Sequence, residues 1–186
     1  MKIDSKDLLN SILESLDHLN YIPLDEIPNI DLYMDQVITL IEGYLYILSD
    51  GKENVLTSAM INNYVKQKLV PKAEKKRYNR MHMAYLIAIT VLKQVLTITK
   101  VKEGIEYQSN ISGLKEAYNM FCEELESSLS TIANQLKNGE GAFQLDSMEL
   151  RNSAMKFVTI SFACKLVAEK MVRLQNSYQE EQEETK

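Results

Sequence analysis

Apolar residues recur every three or four positions along most of the chain, which is the spacing that places them on one face of an α-helix. Glycine and proline, the residues that most often interrupt helices, number only 6 and 3 among 186. A fold with many strands needs many turns, and this chain has few residues suited to them. The predicted fold class is therefore all-α. In the first 110 residues the pattern predicts helices over residues 4–20, 31–48, 57–67, 79–98 and 99–108.

Polar residues stand where these helices are predicted to begin. Asp31, Thr57 or Ser58, Asn79 and Thr99 each precede a segment with apolar periodicity. Their side-chain oxygens are suited to accept hydrogen bonds from the backbone N–H groups of a first helical turn. The predicted boundaries therefore rest on both the periodicity and the caps.

The last third of the chain predicts two long helices. Apolar residues keep to one face over residues 112–137, and Asp146 and Glu149 have the spacing of a capping box at the start of the final helix. A short glycine-containing loop at 139–141 makes the two helices a hairpin. Because the final helix is apolar on nearly all sides over residues 154–168, we expect it to be buried on several sides.

Charge is distributed unevenly behind a net value of −5. Residues 1–51 carry 2 basic and 10 acidic side chains, residues 52–100 carry 10 and 2, and residues 101–186 carry 9 and 14. Between positions 62 and 80, seven basic side chains accompany one acidic side chain, Glu74. A basic segment of this density inside an acidic chain favours a polyanionic partner.

The first part of this basic segment combines an apolar face with a polar one. In residues 56–69, LTSAMINNYVKQKL, the apolar side chains lie on one side, and Asn62, Asn63, Lys66 and Gln67 project from the other. Asparagine and glutamine pair with adenine edges in the major groove, while lysine neutralises phosphate or contacts guanine. The segment therefore has the side chains that a DNA recognition helix needs.

The sequence MINNYVKQKLVP, followed by KRYNRMHMAYL, resembles the helix-turn-helix and wing of MerR-type regulators, whose pattern is roughly TLRYYERKGLLP followed by RRYSEEDLERL. The wider stretch over about residues 30–110 resembles a bacterial family called domain of unknown function 1836, which is thought to contain DNA-binding regulators. Two departures from the MerR pattern are that Lys68 replaces the glycine of the KGLL turn and that the wing lacks its usual glycine. We therefore expect a short or distorted wing.

The MerR resemblance implies roles for the residues of the basic segment. Asn62, Asn63 and Lys66 would lie at recognition-helix positions that face DNA, and an ordinary surface position is the alternative for the two asparagines. Tyr64 stands where the family's tyrosine bonds a phosphate, and a wholly buried role for Tyr64 is the alternative. The predicted DNA-binding residues are Thr57, Ser58, Asn62, Asn63, Tyr64, Lys66, Lys68, Lys72, Lys75, Lys76, Arg77, Tyr78 and Arg80.

With this resemblance the chain divides into three parts. Residues 1–110 hold N-terminal helices and a MerR-like (winged) helix-turn-helix, residues 111–178 form a C-terminal hairpin for dimerisation, and residues 179–186 form a disordered acidic tail. The predicted function is a sequence-specific transcriptional regulator, a repressor that occludes promoters by binding double-stranded DNA as a homodimer. The alternative is a non-catalytic protein-interaction module whose basic patch docks an acidic partner. A third interpretation is a regulator that senses a small-molecule effector in a pocket between the C-terminal helices.

Other classes of function have little support in the sequence. It contains no nucleophile elbow, phosphate-binding loop, dinucleotide fingerprint or zinc signature, so we expect neither an enzyme nor a cofactor nor a metal site. Cys122 and Cys164 lie on apolar stretches and are expected to be buried. No apolar run reaches the roughly 18 residues of a membrane span. The N-terminus also lacks the apolar core of a signal peptide, so a cytoplasmic protein without a membrane partner is expected.

Overall fold

The computed structural model describes residues 10, 12–14, 16, 22–48, 54–143 and 149–184. Its β structure within these residues is limited to two isolated bridges, Leu32 with Tyr78 and Glu74 with Arg77, which confirms the all-α prediction. Short 3-10 turns lie at Leu24–Glu26 and Tyr46–Leu48. The α-helices are α1 (Met34–Tyr44), α2 (Ser58–Lys66), α3 (Arg80–Leu92), α4 (Ile98–Ser112), α5 (Leu114–Asn138) and α6 (Leu150–Glu184).

Helix α1 does not begin at the predicted cap, Asp31. Leu32 exchanges both backbone hydrogen bonds with Tyr78, at 2.9 and 2.8 Å, and this bridge holds the chain extended before the helix. The cap is Tyr33, whose backbone N–H donates to the side-chain oxygen of Gln36 at 2.9 Å. A contact with a residue 46 positions away thus displaces the start of the helix.

The helix predicted over residues 79–98 ends six residues earlier, at Leu92. Turns occupy residues 93–96, and α4 then begins after Thr97, whose hydroxyl accepts from the backbone N–H of Lys100 at 3.4 Å. The cap is therefore Thr97 rather than Thr99. Since the apolar pattern continues through the turns, the sequence contains no signal for this break, which brings α4 onto α5.

Helices α5 and α6 form the predicted hairpin, and α4 packs against both. Gly139 ends α5 with a φ of 70°, a backbone conformation that glycine adopts readily. The predicted capping residue Asp146 lies outside the described residues. The backbone of α6 continues through residues 179–184, where a disordered tail was predicted. No helix in the part of the chain that the structure describes is both long and apolar enough to cross a membrane.

One hydrophobic cluster joins the two predicted domains. It contains Val37 of α1, Ile89 of α3 and Phe162 of α6. Helix α5 is also tied to the segment before α1: the Tyr118 hydroxyl donates to the Ile22 carbonyl at 3.0 Å, and the backbone N–H of Leu24 donates to Oδ1 of Asn119 at 3.2 Å. The helices before and after residue 110 therefore share a core.

The two cysteines have different surroundings. Cys122 is buried as predicted, and burial raises the pKa of its thiol to about 12. Cys164 is exposed, so the expectation that it is buried was wrong. It belongs to a row of uncharged, exposed residues along α6, which we call the α6 stripe: Leu150, Ala154, Phe157, Ser161, Cys164, Ala168 and Val172.

Candidate nucleic-acid interface

Helix α2 presents the polar face predicted from the sequence. It begins after Thr57, whose hydroxyl accepts from the backbone N–H of Met60 at 3.2 Å, as a capping residue should. Ile61 and Tyr64 hold the opposite side of the helix in the core, with exposed fractions of 0% and 3%. The exposed residues between Ser58 and Gln67 are Ser58, Ala59, Asn62, Asn63, Lys66 and Gln67.

Both tyrosines predicted to contact DNA are buried. Tyr64 is part of the core, which is the alternative that the sequence left open, and Tyr78 is 5% exposed. Burial raises the pKa of both hydroxyls. The ring of Tyr78 lies edge-on to that of His82, with 5.5 Å between centroids. These side chains therefore hold the basic segment in place and do not lie on its outer surface.

Helix α2 ends in a hydrogen-bonding pattern that normally contains glycine. The backbone N–H of Lys68 donates to the Val65 carbonyl at 3.0 Å, and that of Leu69 donates to the Tyr64 carbonyl at 2.9 Å. This is the Schellman motif, in which the residue after the cap takes a left-handed conformation. Lys68 is that residue, with a φ of 58°. Lys68 stands where the MerR pattern has glycine, and it adopts the left-handed backbone conformation that glycine favours.

A second left-handed pair makes the tight turn that follows. Lys75 and Lys76 have φ angles of 48° and 63°, and the backbone N–H of Arg77 donates to the Glu74 carbonyl at 2.7 Å. Two successive positive φ angles are typical of a type I′ hairpin turn. This turn, next to the bridge between Leu32 and Tyr78, lies at the position where the sequence predicts a short wing. Lys72 and both turn lysines are exposed.

The two arginines of the segment have partners far away in the sequence. The Arg77 guanidinium lies 3.7 Å from the centroid of the Tyr33 ring, and its Nη1 donates to the Asp31 carbonyl at 3.3 Å. Nη1 of Arg80 lies 3.7 Å from Oδ1 of Asp25. Both arginines are half-buried. They join the basic segment to the chain before α1, an arrangement that no local sequence signal indicates.

Helix α3 begins at the end of this segment with a reciprocal cap. Oδ1 of Asn79 accepts from the backbone N–H of His82, and Nδ1 of His82 accepts from the backbone N–H of Asn79, both at 3.2 Å. Nδ1 of His82 also lies 2.7 Å from Oδ1 of Asn79, and the tautomer of the ring decides whether Nδ1 donates to that oxygen or accepts from the backbone. Burial lowers the pKa of His82, against smaller opposing effects of the Lys72 backbone and of the Asp31 and Glu74 carboxylates. The cap predicted at Asn79 is confirmed.

Residues 22–121, more than half of the chain, match the family model described as Domain of unknown function (DUF1836). The protein belongs to the DUF1836 family. No curated protein and no solved structure shows a significant match to it. The DUF1836 match begins at Ile22, whose carbonyl accepts from Tyr118, and ends three residues beyond Tyr118, at Phe121. The family domain therefore includes the first part of α5 as well as the candidate interface.

Proposed function

We propose that this protein is a sequence-specific transcriptional regulator that binds double-stranded DNA as a homodimer and represses by promoter occlusion. The observation that carries the proposal is the exposed polar face of α2, with Asn62, Asn63 and Lys66, next in the chain to an exposed basic turn. Asparagine suits adenine edges, and lysine suits guanine or phosphate. In a MerR-like helix-turn-helix, α2 is the recognition helix and the turn at Lys75 and Lys76 is a reduced wing.

Backbone strain supports a functional role for the same segment. Each non-glycine residue with a positive φ in the described part of the chain is a lysine of this segment: Lys68, Lys75 or Lys76. A left-handed non-glycine residue costs about 1–3 kcal/mol, and such residues cluster at functional sites. Asparagine tolerates this conformation better than lysine. The lysine charge is therefore a reason for lysine at these positions, and a phosphate backbone is the partner that uses it.

The surface hydrogen bond within α2 is compatible with base recognition. Nε2 of Gln67 donates to Oδ1 of Asn63 at 3.1 Å. This bond leaves the Asn63 amide group free to donate and the Gln67 carbonyl oxygen free to accept. A donor and an acceptor held side by side match the N7 and N6 groups of adenine.

The homodimer rests on the α6 stripe. Its members recur every three or four residues from Leu150 to Val172, which is the spacing of a coiled-coil seam. At 1.5 Å per residue the stripe is roughly 33 Å long. An exposed row of this length that is mainly apolar and carries no charge is unlike a solvated helix face. We infer that a second copy of the chain covers the stripe, because a twofold axis would place the same uncharged stripe of each copy against the other.

Duplex DNA selected from a random pool tests the proposal, with affinity measured by fluorescence anisotropy over a series of salt concentrations. The selected site should bind at least about a thousandfold more tightly than random DNA. Lys72→Ala should lower the slope of log affinity against log salt by about 0.9 on every sequence. Asn62→Ala with Asn63→Ala should instead weaken binding to the selected site and leave random DNA nearly unchanged.

Lys137→Ala is the matched control, because Lys137 is an exposed lysine at the far end of α5. It should leave both the salt slope and the preference for the selected site unchanged. Failure of the pool to yield any preferred sequence would contradict a sequence-specific regulator. Tight binding to an acidic protein with no affinity for DNA would favour the docking module instead.

A further inference from the structure

A cavity of about 100 Å³ lies between helices α3, α4, α5 and α6. Small residues border it on all four helices, namely Ala84 and Ala88 on α3, Gly104 on α4, Ala117 on α5 and Ala154 on α6. Apolar walls of this kind are typical of sites for small organic ligands. The larger carbon side chains around it include Leu92, Val101, Ile105, Phe121, Met155 and Val158.

One residue that borders the cavity, Gln108, has a buried oxygen atom without a hydrogen-bond partner. Gln108 is 6% exposed, and its Nε2 donates to the Arg151 carbonyl at 2.7 Å. Because that carbonyl only accepts, the amide orientation is fixed, and Oε1 of Gln108 is left without a donor. The neighbouring hydroxyl of Ser109, which also borders the cavity, is likewise buried and unpaired. Buried polar groups are almost always paired, so a ligand donor that reaches Oε1 of Gln108 would satisfy an atom that is otherwise left unpaired.

The charge at the cavity indicates an uncharged ligand. The charged side chain that borders it is Lys100, whose Nζ lies 2.6 Å from Oε2 of Glu103. This ion pair is exposed, and it leaves no net charge beside the apolar walls. An ionised ligand would lose its hydration without gaining a counter-charge.

Gly104 borders the cavity at an exposed position. It lies inside helix α4, where glycine is less stable than alanine. A Cβ atom at this position would meet no atom within 4 Å, so neither packing nor backbone geometry requires glycine there. A residue without a side chain does not block access to the cavity from solvent, which is a reason for glycine at this position.

We propose that this cavity binds one small, uncharged, mainly apolar molecule, about the size of a single six-membered ring, that donates a hydrogen bond from a hydroxyl or N–H group to Oε1 of Gln108. An apolar cavity of roughly 150 Å³ holds benzene; the cavity here is smaller, about 100 Å³, so a ring of this size would also extend into its open side at Gly104. The inference concerns the cavity alone and does not depend on DNA binding.

Phenol and toluene test this proposal on the full chain, because they have the same shape and differ in a hydroxyl against a methyl group. Their dissociation constants are measured by titration in NMR spectra. Burial of apolar surface alone favours toluene, so the direction of the preference is the readout. We expect phenol to bind about tenfold more tightly than toluene, as one buried hydrogen bond allows.

Two substitutions at one position give the matched comparison. Gly104→Leu should block the entrance and weaken phenol binding at least about tenfold, while Gly104→Ala should leave it within about twofold; both improve helix propensity, so both should fold. Three results would overturn the proposal: no saturable binding of phenol, tighter binding of toluene, or equal loss of binding in the leucine and alanine variants.

Discussion

Replacing Phe157 with alanine removes the largest side chain of the α6 stripe. Phe157 is 48% exposed in the single chain, and burying a whole phenylalanine side chain contributes up to about 3 kcal/mol. A second copy that covers the exposed part would gain about 1.4 kcal/mol from each ring. Since a twofold dimer contains two such rings, Phe157→Ala should cost about 3 kcal/mol of dimerisation free energy.

This loss corresponds to a dissociation constant about 100-fold higher. Sedimentation equilibrium over a range of protein concentrations measures it directly. Ile30→Ala is the control, because Ile30 is 58% exposed and lies outside the stripe. It removes a comparable exposed apolar side chain and should leave the dissociation constant unchanged. The circular dichroism of each variant confirms that the helices are retained.

Two results would refute the inference that the stripe is a dimer seam. The first is a wild-type protein that sediments as a monomer at concentrations well above micromolar. The second is a dimer whose dissociation constant responds equally to Phe157→Ala and Ile30→Ala. The second result would place the contact between copies on another surface and would leave the apolar stripe without an occupant.

Three further outcomes follow from single residues. Lys68→Gly should raise the free energy of unfolding by about 1 kcal/mol because it relieves a left-handed lysine; urea denaturation measures this, and a decrease would contradict it. Because burial lowers the pKa of His82 below 6.5, the unfolded chain takes up its proton first as pH falls. Stability should therefore decrease below about pH 6.5, and His82→Gln, which retains a capping side chain, should show a smaller decrease. Maleimide labelling of Cys164 should slow as protein concentration rises through the dimer dissociation constant, whereas equal labelling rates at all concentrations would count against the seam.

The sequence predicted the parts of the fold that depend on neighbouring residues. Thr57 and Asn79 cap α2 and α3 as expected, because a cap involves only the first helical turn. The apolar and polar faces of α2 were predicted for the same reason, since they follow from helical periodicity. The hairpin of α5 and α6 followed from two long periodic segments and the short loop between them.

Features that depend on distant residues could not be predicted in this way. Asp31 is a good cap by composition, but the bridge between Leu32 and Tyr78 moves the start of α1. The ring of Tyr33 under Arg77 joins positions 44 residues apart. Cys164 was expected to be buried because its helix is apolar on most sides. In our proposal the surface that covers Cys164 belongs to a second copy of the chain. Sequence periodicity does not distinguish burial inside one chain from burial between two copies.

The shared core gives the two proposals a common physical basis. Helix α3 follows the basic turn directly and also packs against α6, whose exposed residues form the stripe. In a homodimer this packing would fix the separation of the two α2 helices, which must be about 34 Å for successive major grooves. The cavity is bordered by both α3 and α6, so a bound molecule would contact the helix that follows the basic turn and the helix that carries the stripe. A ligand that fits better at one separation would change DNA affinity, whereas a ligand that fits all separations equally would bind without regulating.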